Sequence, residues 1–60
     1  MIMEIHETIF VQDHYVSKTG KLSAITILES AFGLIKVEED VNGREFYLTK
    51  KELLNIYEKD

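Results

Sequence analysis

The 60-residue sequence contains no cysteine and no long apolar run. Without cysteine, neither a disulfide nor a thiolate-bound metal can stabilise the chain. No run approaches the ~20 apolar residues that cross a bilayer. The first residues include Glu4, His6 and Glu7, at positions where a signal peptide would be apolar. We therefore expect a cytoplasmic protein that does not enter a membrane.

Motifs for catalysis and for cofactor binding are also absent. There is no HExxH sequence, the serines lack the context of an activated nucleophile, and Thr19-Gly20-Lys21 lacks the remaining residues of a phosphate loop. Glu4 and His6 would share one face of a strand, but two ligands do not make a zinc site. We therefore predict that the protein is not an enzyme and has no catalytic, cofactor-binding or metal-binding residues.

The length predicts a single domain that spans residues 1–60. A chain this short buries only roughly 60% of its unfolded surface, yet 45% of its residues are hydrophobic. This excess of apolar side chains predicts a homodimer or a complex with a larger protein. The net charge of −4 makes nucleic acid the less favoured partner.

The pair Asn42-Gly43 predicts a β-hairpin, because these residues best tolerate the positive φ angles of a two-residue type I′ turn. In that register Asp40 faces Glu45 and Val37 faces Leu48. Side chains alternate along a strand, so each side of the hairpin has its own chemistry. The apolar side carries Ile35, Val37, Val41, Phe46 and Leu48, and the polar side carries Lys36, Glu38, Asp40, Glu45 and Tyr47.

Two segments before the hairpin show opposite periodicities. Residues 2–11 alternate in polarity and are rich in β-branched side chains, which favours a strand, although a helical spacing also fits. Residues 22–32 place apolar side chains at helical spacing, with Gly33 after the last turn, which predicts a helix. The β-branched residues Ile25, Thr26 and Ile27 favour a strand over 24–28 instead, and this alternative stays open.

A second helix is predicted after the hairpin. Thr49 and Glu52 have the spacing of a capping box, which indicates a helix over residues 50–59. The predicted fold class is therefore α+β in the order β-α-β-β-α, with the first helix on the apolar face of the sheet. The predicted core contains Ile5, Ile9, Val11, Ile25, Leu28, Phe32, Ile35, Val37, Phe46, Leu48 and Leu53.

For function, the sequence favours a small non-enzymatic module that binds another protein. Size, acidity and surplus apolar content suggest a regulator or inhibitor, active as a homodimer or on a larger protein. The acidic side of the hairpin is the predicted partner-binding surface, with Glu38, Asp40, Glu45 and Tyr47. An accessory subunit of an enzyme is a further alternative.

The stretch ESAFGLIKVEEDVNGREFYLTKKELL, from Glu29 to Leu54, resembles the end of a winged-helix domain. The resemblance implies a DNA-binding regulator in which the helix over 22–32 enters the major groove and the hairpin over 34–49 is the wing. DNA contacts would then come from Lys36, Arg44, Lys50 and Lys51. The interaction module remains the first hypothesis, because the predicted recognition helix carries no Lys or Arg, and counterion release requires them.

Overall fold

The computed structural model describes residues 9–60, which form a five-stranded antiparallel sheet and one short helix. The strands lie in the order β4-β3-β2-β1-β5, so β1 to β4 form a meander and β5 returns to pair with β1. The helix α1 connects β4 to β5 and packs against both strands. The elements are β1 His14–Ser17, β2 Ile25–Ala31, β3 Leu34–Glu39, β4 Glu45–Thr49, α1 Lys50–Ile56 and β5 Tyr57–Lys59.

The predicted α+β class with two helices is therefore wrong, because the predicted helix over 22–32 is mostly strand β2. Ile25 and Ile27 both face the core and are fully buried. The pairing of β2 with β3 is irregular between Ile27 and Glu29, which leaves Leu28 without a partner opposite it. This bulge changes the alternation of side chains along β2, so the apolar spacing resembles that of a helix.

The turn between β2 and β3 consists of Phe32 and Gly33. Ala31 pairs with Leu34, and both turn residues have positive φ angles, 53° and 77°. These are the features of a two-residue type I′ hairpin. The sequence therefore contains such a turn, but it lies ten residues before the predicted one.

The predicted hairpin exists between β3 and β4, but its turn and register differ from the prediction. Glu38 faces Glu45 and Val37 faces Phe46. The Glu39 amide donates to the Arg44 carbonyl over 2.7 Å, so Glu39 and Arg44 form the last pair and residues 40–43 form a four-residue loop in place of the two-residue turn. Within this loop only Gly43 has a positive φ, 73°. A shift of two residues leaves every strand side chain on its predicted face, because alternation has a period of two.

The two ends of the predicted element order also need correction. The predicted strand over 2–11 falls largely on residues outside the described range, and the described residues 9–11 are not strand. The predicted helix over 50–59 ends at Ile56, and residues 57–59 form β5. The predicted capping box is present: the Glu52 amide donates to the Thr49 hydroxyl over 3.1 Å, and the Thr49 amide donates to the Glu52 carboxylate over 3.0 Å.

The core lies between one face of the sheet and α1. Ile25, Ile35, Val37 and Leu53 are buried as predicted, and Ile9, Phe46 and Leu48 pack against them. Val11 and Phe32 were predicted to be buried and are exposed. The sequence analysis missed three buried residues, which are Tyr15, Ile27 and Tyr57. Ile5 lies outside the described residues.

Candidate interaction surface

The face of the sheet opposite the core, here called the outer face, carries most of the predicted partner-binding residues. Cross-strand pairing arranges it in rows. The first row runs His14–Thr26–Glu38–Glu45 across β1 to β4, the second is Glu29–Lys36–Tyr47, and the third is Ala31–Leu34–Thr49 beside the Phe32-Gly33 turn. One surface thus joins an acidic end to an apolar end.

Two residues of the first row, His14 and Thr26, form a hydrogen-bonded cluster with Asp40. The Thr26 hydroxyl donates to Asp40 Oδ1 over 2.7 Å and lies 3.1 Å from His14 Nδ1. Since Thr26 has one hydroxyl proton and gives it to Asp40, His14 Nδ1 must be the donor in the second bond. Thr26 is therefore a bridge between the side chains of His14 and Asp40.

The same cluster holds the residue that follows β3. Besides the bond to Thr26, the Asp40 amide donates to the Ala24 carbonyl over 3.0 Å, so Asp40 is bonded on the β2 side of the sheet. On the β4 side Asp40 begins the four-residue loop, and Glu38 lies opposite Glu45.

Glu38 and Glu45 form a pair of like charges in adjacent strands, which is unfavourable by itself. Lys36 relieves it, because its Nζ lies 3.1 Å from Glu45 Oε1. The hydrogen bond and the charge of Glu45 raise the pKa of Lys36 above its ordinary value, so the ammonium stays protonated. Lys36 neutralises Glu45, while Glu38 and Glu29 remain as additional carboxylates on this face.

The apolar end of the outer face contains an open cleft of about 220 Å³. Phe32 is fully exposed at its rim, and Leu34 and Tyr47 are 48% and 61% exposed. Glu29, Ala31 and Lys36 complete the lining. Three neighbouring apolar or aromatic side chains are therefore presented to solvent at one place, which is a common property of interaction surfaces.

Strand β4 forms one edge of the sheet, but little of its backbone is open to another strand. In an antiparallel pair, every second residue directs its backbone N–H and C=O groups at the neighbouring strand. Because Arg44 bonds to Glu39 of β3, the backbone groups of Glu45, Tyr47 and Thr49 point away from β3. Thr49 is occupied by the capping box of α1. Only Glu45 and Tyr47 remain, and an edge this short is a poor template for strand pairing.

The structure brings together three of the four predicted partner-binding residues. Glu38, Glu45 and Tyr47 are neighbours on the outer face, whereas the Asp40 carboxylate faces Thr26 and His14. The sequence analysis missed Phe32, which it had placed in a buried helix. The clue was Phe32-Gly33 itself, since a glycine at the second position suits a two-residue hairpin turn.

The residues predicted for DNA binding do not form one patch of free cations. Lys36 is paired with Glu45, and Arg44 lies 3.8 Å from Glu39 Oε1 and over the Phe46 ring. Lys50 and Lys51 are exposed in the first turn of α1. The winged-helix resemblance loses its basis, because the segment matching the recognition helix is strand β2. DNA binding itself stays an untested prediction.

Within residues 9–60, no group of three or more His, Asp or Glu side chains has the arrangement of a metal site. In the same range, no helix is long and apolar enough to cross a membrane. Comparisons of the chain with protein families, with curated proteins and with solved structures find no match.

Proposed function

We propose that this chain is a small protein-interaction module, a regulator or inhibitor that binds a basic segment of a larger protein on its outer face. The supporting observation is the charge of that face: the carboxylates of Glu29, Glu38 and Glu45 stand against the single ammonium of Lys36. A cationic segment gains from this excess of negative charge, and it also benefits from the overall charge of −4 during encounter.

The outer face suits this role better than the edge of the sheet does. Strand addition at β4 would find open backbone groups at only two residues, because the capping box occupies Thr49. Two copies of the outer face would bring like charges together, so this surface favours a basic partner over a second copy of the chain. If the partner were an enzyme, the chain would be its accessory subunit.

The test uses a short capped peptide in which arginine alternates with threonine. We expect it to bind the full chain at low salt and to bind more weakly as salt rises, because exposed charges are screened. Neutralising Glu38→Gln together with Glu45→Gln should weaken binding about two- to thirtyfold, since each exposed ion pair contributes about 0.2–1 kcal/mol. Titration calorimetry measures both effects.

The matched control is Glu58→Gln, which removes one charge on β5 at the far edge of the sheet. It should leave the peptide affinity nearly unchanged. If Glu58→Gln weakens binding as much as Glu38→Gln alone does, binding reflects only the net charge, and the proposal fails. Tight binding of duplex DNA that disappears on Arg44→Ala would support the nucleic-acid alternative instead.

The predicted homodimer is tested by the mass of the full chain in solution at micromolar concentration. A dimer that leaves the outer face open would use other exposed apolar side chains, such as Phe10 and Val11, which are 57% and 54% exposed. A dimer that still binds the arginine peptide is compatible with the module proposed here. A dimer that no longer binds it would assign the outer face to self-association.

A further inference from the structure

We propose that the cleft beside the Phe32-Gly33 turn holds a large apolar side chain of the bound basic segment, and that Phe32 selects this side chain. The inference rests on the proposed function and adds a second requirement to it. The partner must carry an apolar residue as well as positive charge, and the two must have a defined spacing.

Phe32 has an unfavourable backbone conformation. Its φ of 53° lies in the left-handed region, where the first position of a type I′ turn favours asparagine or glycine. A bulky side chain at positive φ is strained. Such strain persists where a residue is kept for a purpose other than stability, and it concentrates at ligand-binding positions.

Phe32 contributes nothing to the core that would offset this strain. The side chain is fully exposed, and its neighbours in the cleft, Leu34 and Tyr47, are also largely open to solvent. Phe32 therefore extends an apolar surface that already continues onto β3 and β4. A partner side chain placed there would remove all three from water, which is the main source of affinity at interfaces.

The acidic groups lie at defined distances from the cleft. Glu29 lines the cleft, and Glu38 lies four residues along β3 from Leu34. Four residues of a strand span about 13 Å, and an extended peptide covers the same distance with about four of its own residues. An extended segment with an apolar and a basic residue four positions apart can therefore reach the cleft and Glu38 together.

The experiment compares two capped, threonine-rich peptides on the full chain. Both carry an arginine four positions from the test position, which is leucine in one peptide and serine in the other. The leucine peptide should bind about tenfold more tightly or better, because a buried leucine side chain contributes about that much affinity. A third peptide with a three-residue spacing should lose the advantage, since neighbouring positions of an extended chain point to opposite sides.

The decisive variant is Phe32→Asn. It should abolish the preference for leucine while raising the midpoint of thermal unfolding by a few degrees, because asparagine tolerates this backbone conformation better. Leu22→Ser is the matched control, since Leu22 is 53% exposed but lies outside the cleft. It should change neither the preference for leucine nor the affinity.

The outcomes separate the two proposals. If Phe32→Asn keeps the leucine preference while Glu38→Gln with Glu45→Gln weakens binding, the cleft inference is wrong and the proposed function stands. If the peptide with alternating arginine binds but neither single-arginine peptide does, the inference is wrong and the proposed function stands. If none of these three peptides binds the wild-type chain, the proposed function fails and the inference falls with it. A dimer that Phe32→Asn converts to a monomer would mean that the cleft holds a second copy. A lower unfolding midpoint for Phe32→Asn would indicate that another part of this chain covers the cleft. Either result would overturn the inference.

Discussion

At the scale of single residues, burial alternates along β1, β3 and β4, whereas the first three residues of β2 are all buried. Ile27 of β2 is an instructive case, because it is absent from the predicted core. In the structure Ile27 is fully buried with Ile25 and faces Val37 across the β2–β3 ladder. Three β-branched residues in a row had indicated this strand, and that local preference was the better guide.

Replacing Ile27 by alanine should lower the free energy of unfolding by about 2–5 kcal/mol, because it leaves a cavity in the core. For so small a domain, this is a large part of the total stability. Denaturant titration measures the loss. Leu22→Ala is the control and should change stability by less than about 0.5 kcal/mol, since Leu22 is half exposed. Comparable losses at the two positions would contradict the assignment of Ile27 to the core.

Tyr57 should make stability depend on pH in the alkaline range. Burial raises the pKa of Tyr57 above its ordinary value of 10.0, and the charge of Glu39 adds to the effect. Above pH 10 the unfolded chain loses the phenolic proton while the folded chain retains it, so stability falls as pH rises. The unfolding free energy of Tyr57→Phe should fall less steeply across this range. Identical slopes would refute the assignment.

At the scale of elements, sequence analysis predicted strand faces and caps better than it predicted turns. The faces of β3 and β4 are as predicted, because a shift of two residues preserves them. The capping box is also as predicted, since it depends on two residues three positions apart. The loop at Asn42-Gly43 was wrong, because it has four residues and not two. The bonds of Asp40 to Ala24 and Thr26 were also missed, since contacts so distant in sequence do not follow from local rules.

The capping box gives a test at this scale. Thr49→Ala should lower the free energy of unfolding by about 1 kcal/mol, because the amide of Glu52 loses its acceptor. Thermal unfolding followed by circular dichroism measures the change. Lys51→Ala, an exposed substitution in the same helix, is the control and should have a smaller effect. Equal effects would mean that the cap does not support α1.

Glu52 adds a pH dependence of opposite direction to that of Tyr57. The hydrogen bonds to Thr49 lower the pKa of Glu52 below its ordinary value of 4.5. The stabilisation is therefore present above pH 4.5 and is lost as the pH falls through the lower pKa of the folded state. Glu52→Gln keeps a capping partner but cannot titrate, so its stability should fall less in acid. An acid transition unchanged by this substitution would contradict the expectation.

At the scale of the whole molecule, the architecture could not be derived from local patterns. The three residues of β5 were assigned to a helix, because Tyr57 continues the apolar side of α1 at helical spacing. What places them in a strand is the distant β1, where Tyr57 pairs with Ser17 and Lys59 with Tyr15. Only part of the candidate site could be predicted. Its acidic end lies on the β3–β4 hairpin, which local patterns indicate, whereas its apolar end depends on the turn at Phe32, which was not predicted.

The topology predicts unequal protection of backbone amides against hydrogen exchange. The central strands β2 and β3 have neighbours on both sides, whereas β5 has three residues and pairs only with β1. Exchange should therefore be slowest in β2 and β3 and faster in β5, because local opening involves the least-packed edges first. Exchange measured by nuclear magnetic resonance decides this, and slower exchange in β5 than in β3 would contradict the topology.

The return of β5 to β1 has a consequence for the order of assembly. The hairpins β2–β3 and β3–β4 join neighbouring parts of the chain, whereas Tyr15 and Lys59 are separated by nearly all of the described residues. Contacts so far apart in sequence form slowly, so we expect the terminal strand to dock last. The cleft and the carboxylates Glu29, Glu38 and Glu45 all belong to the early meander. The proposed interaction surface can thus exist while the chain ends are still apart, and under that proposal a partner that binds it would speed completion of the fold.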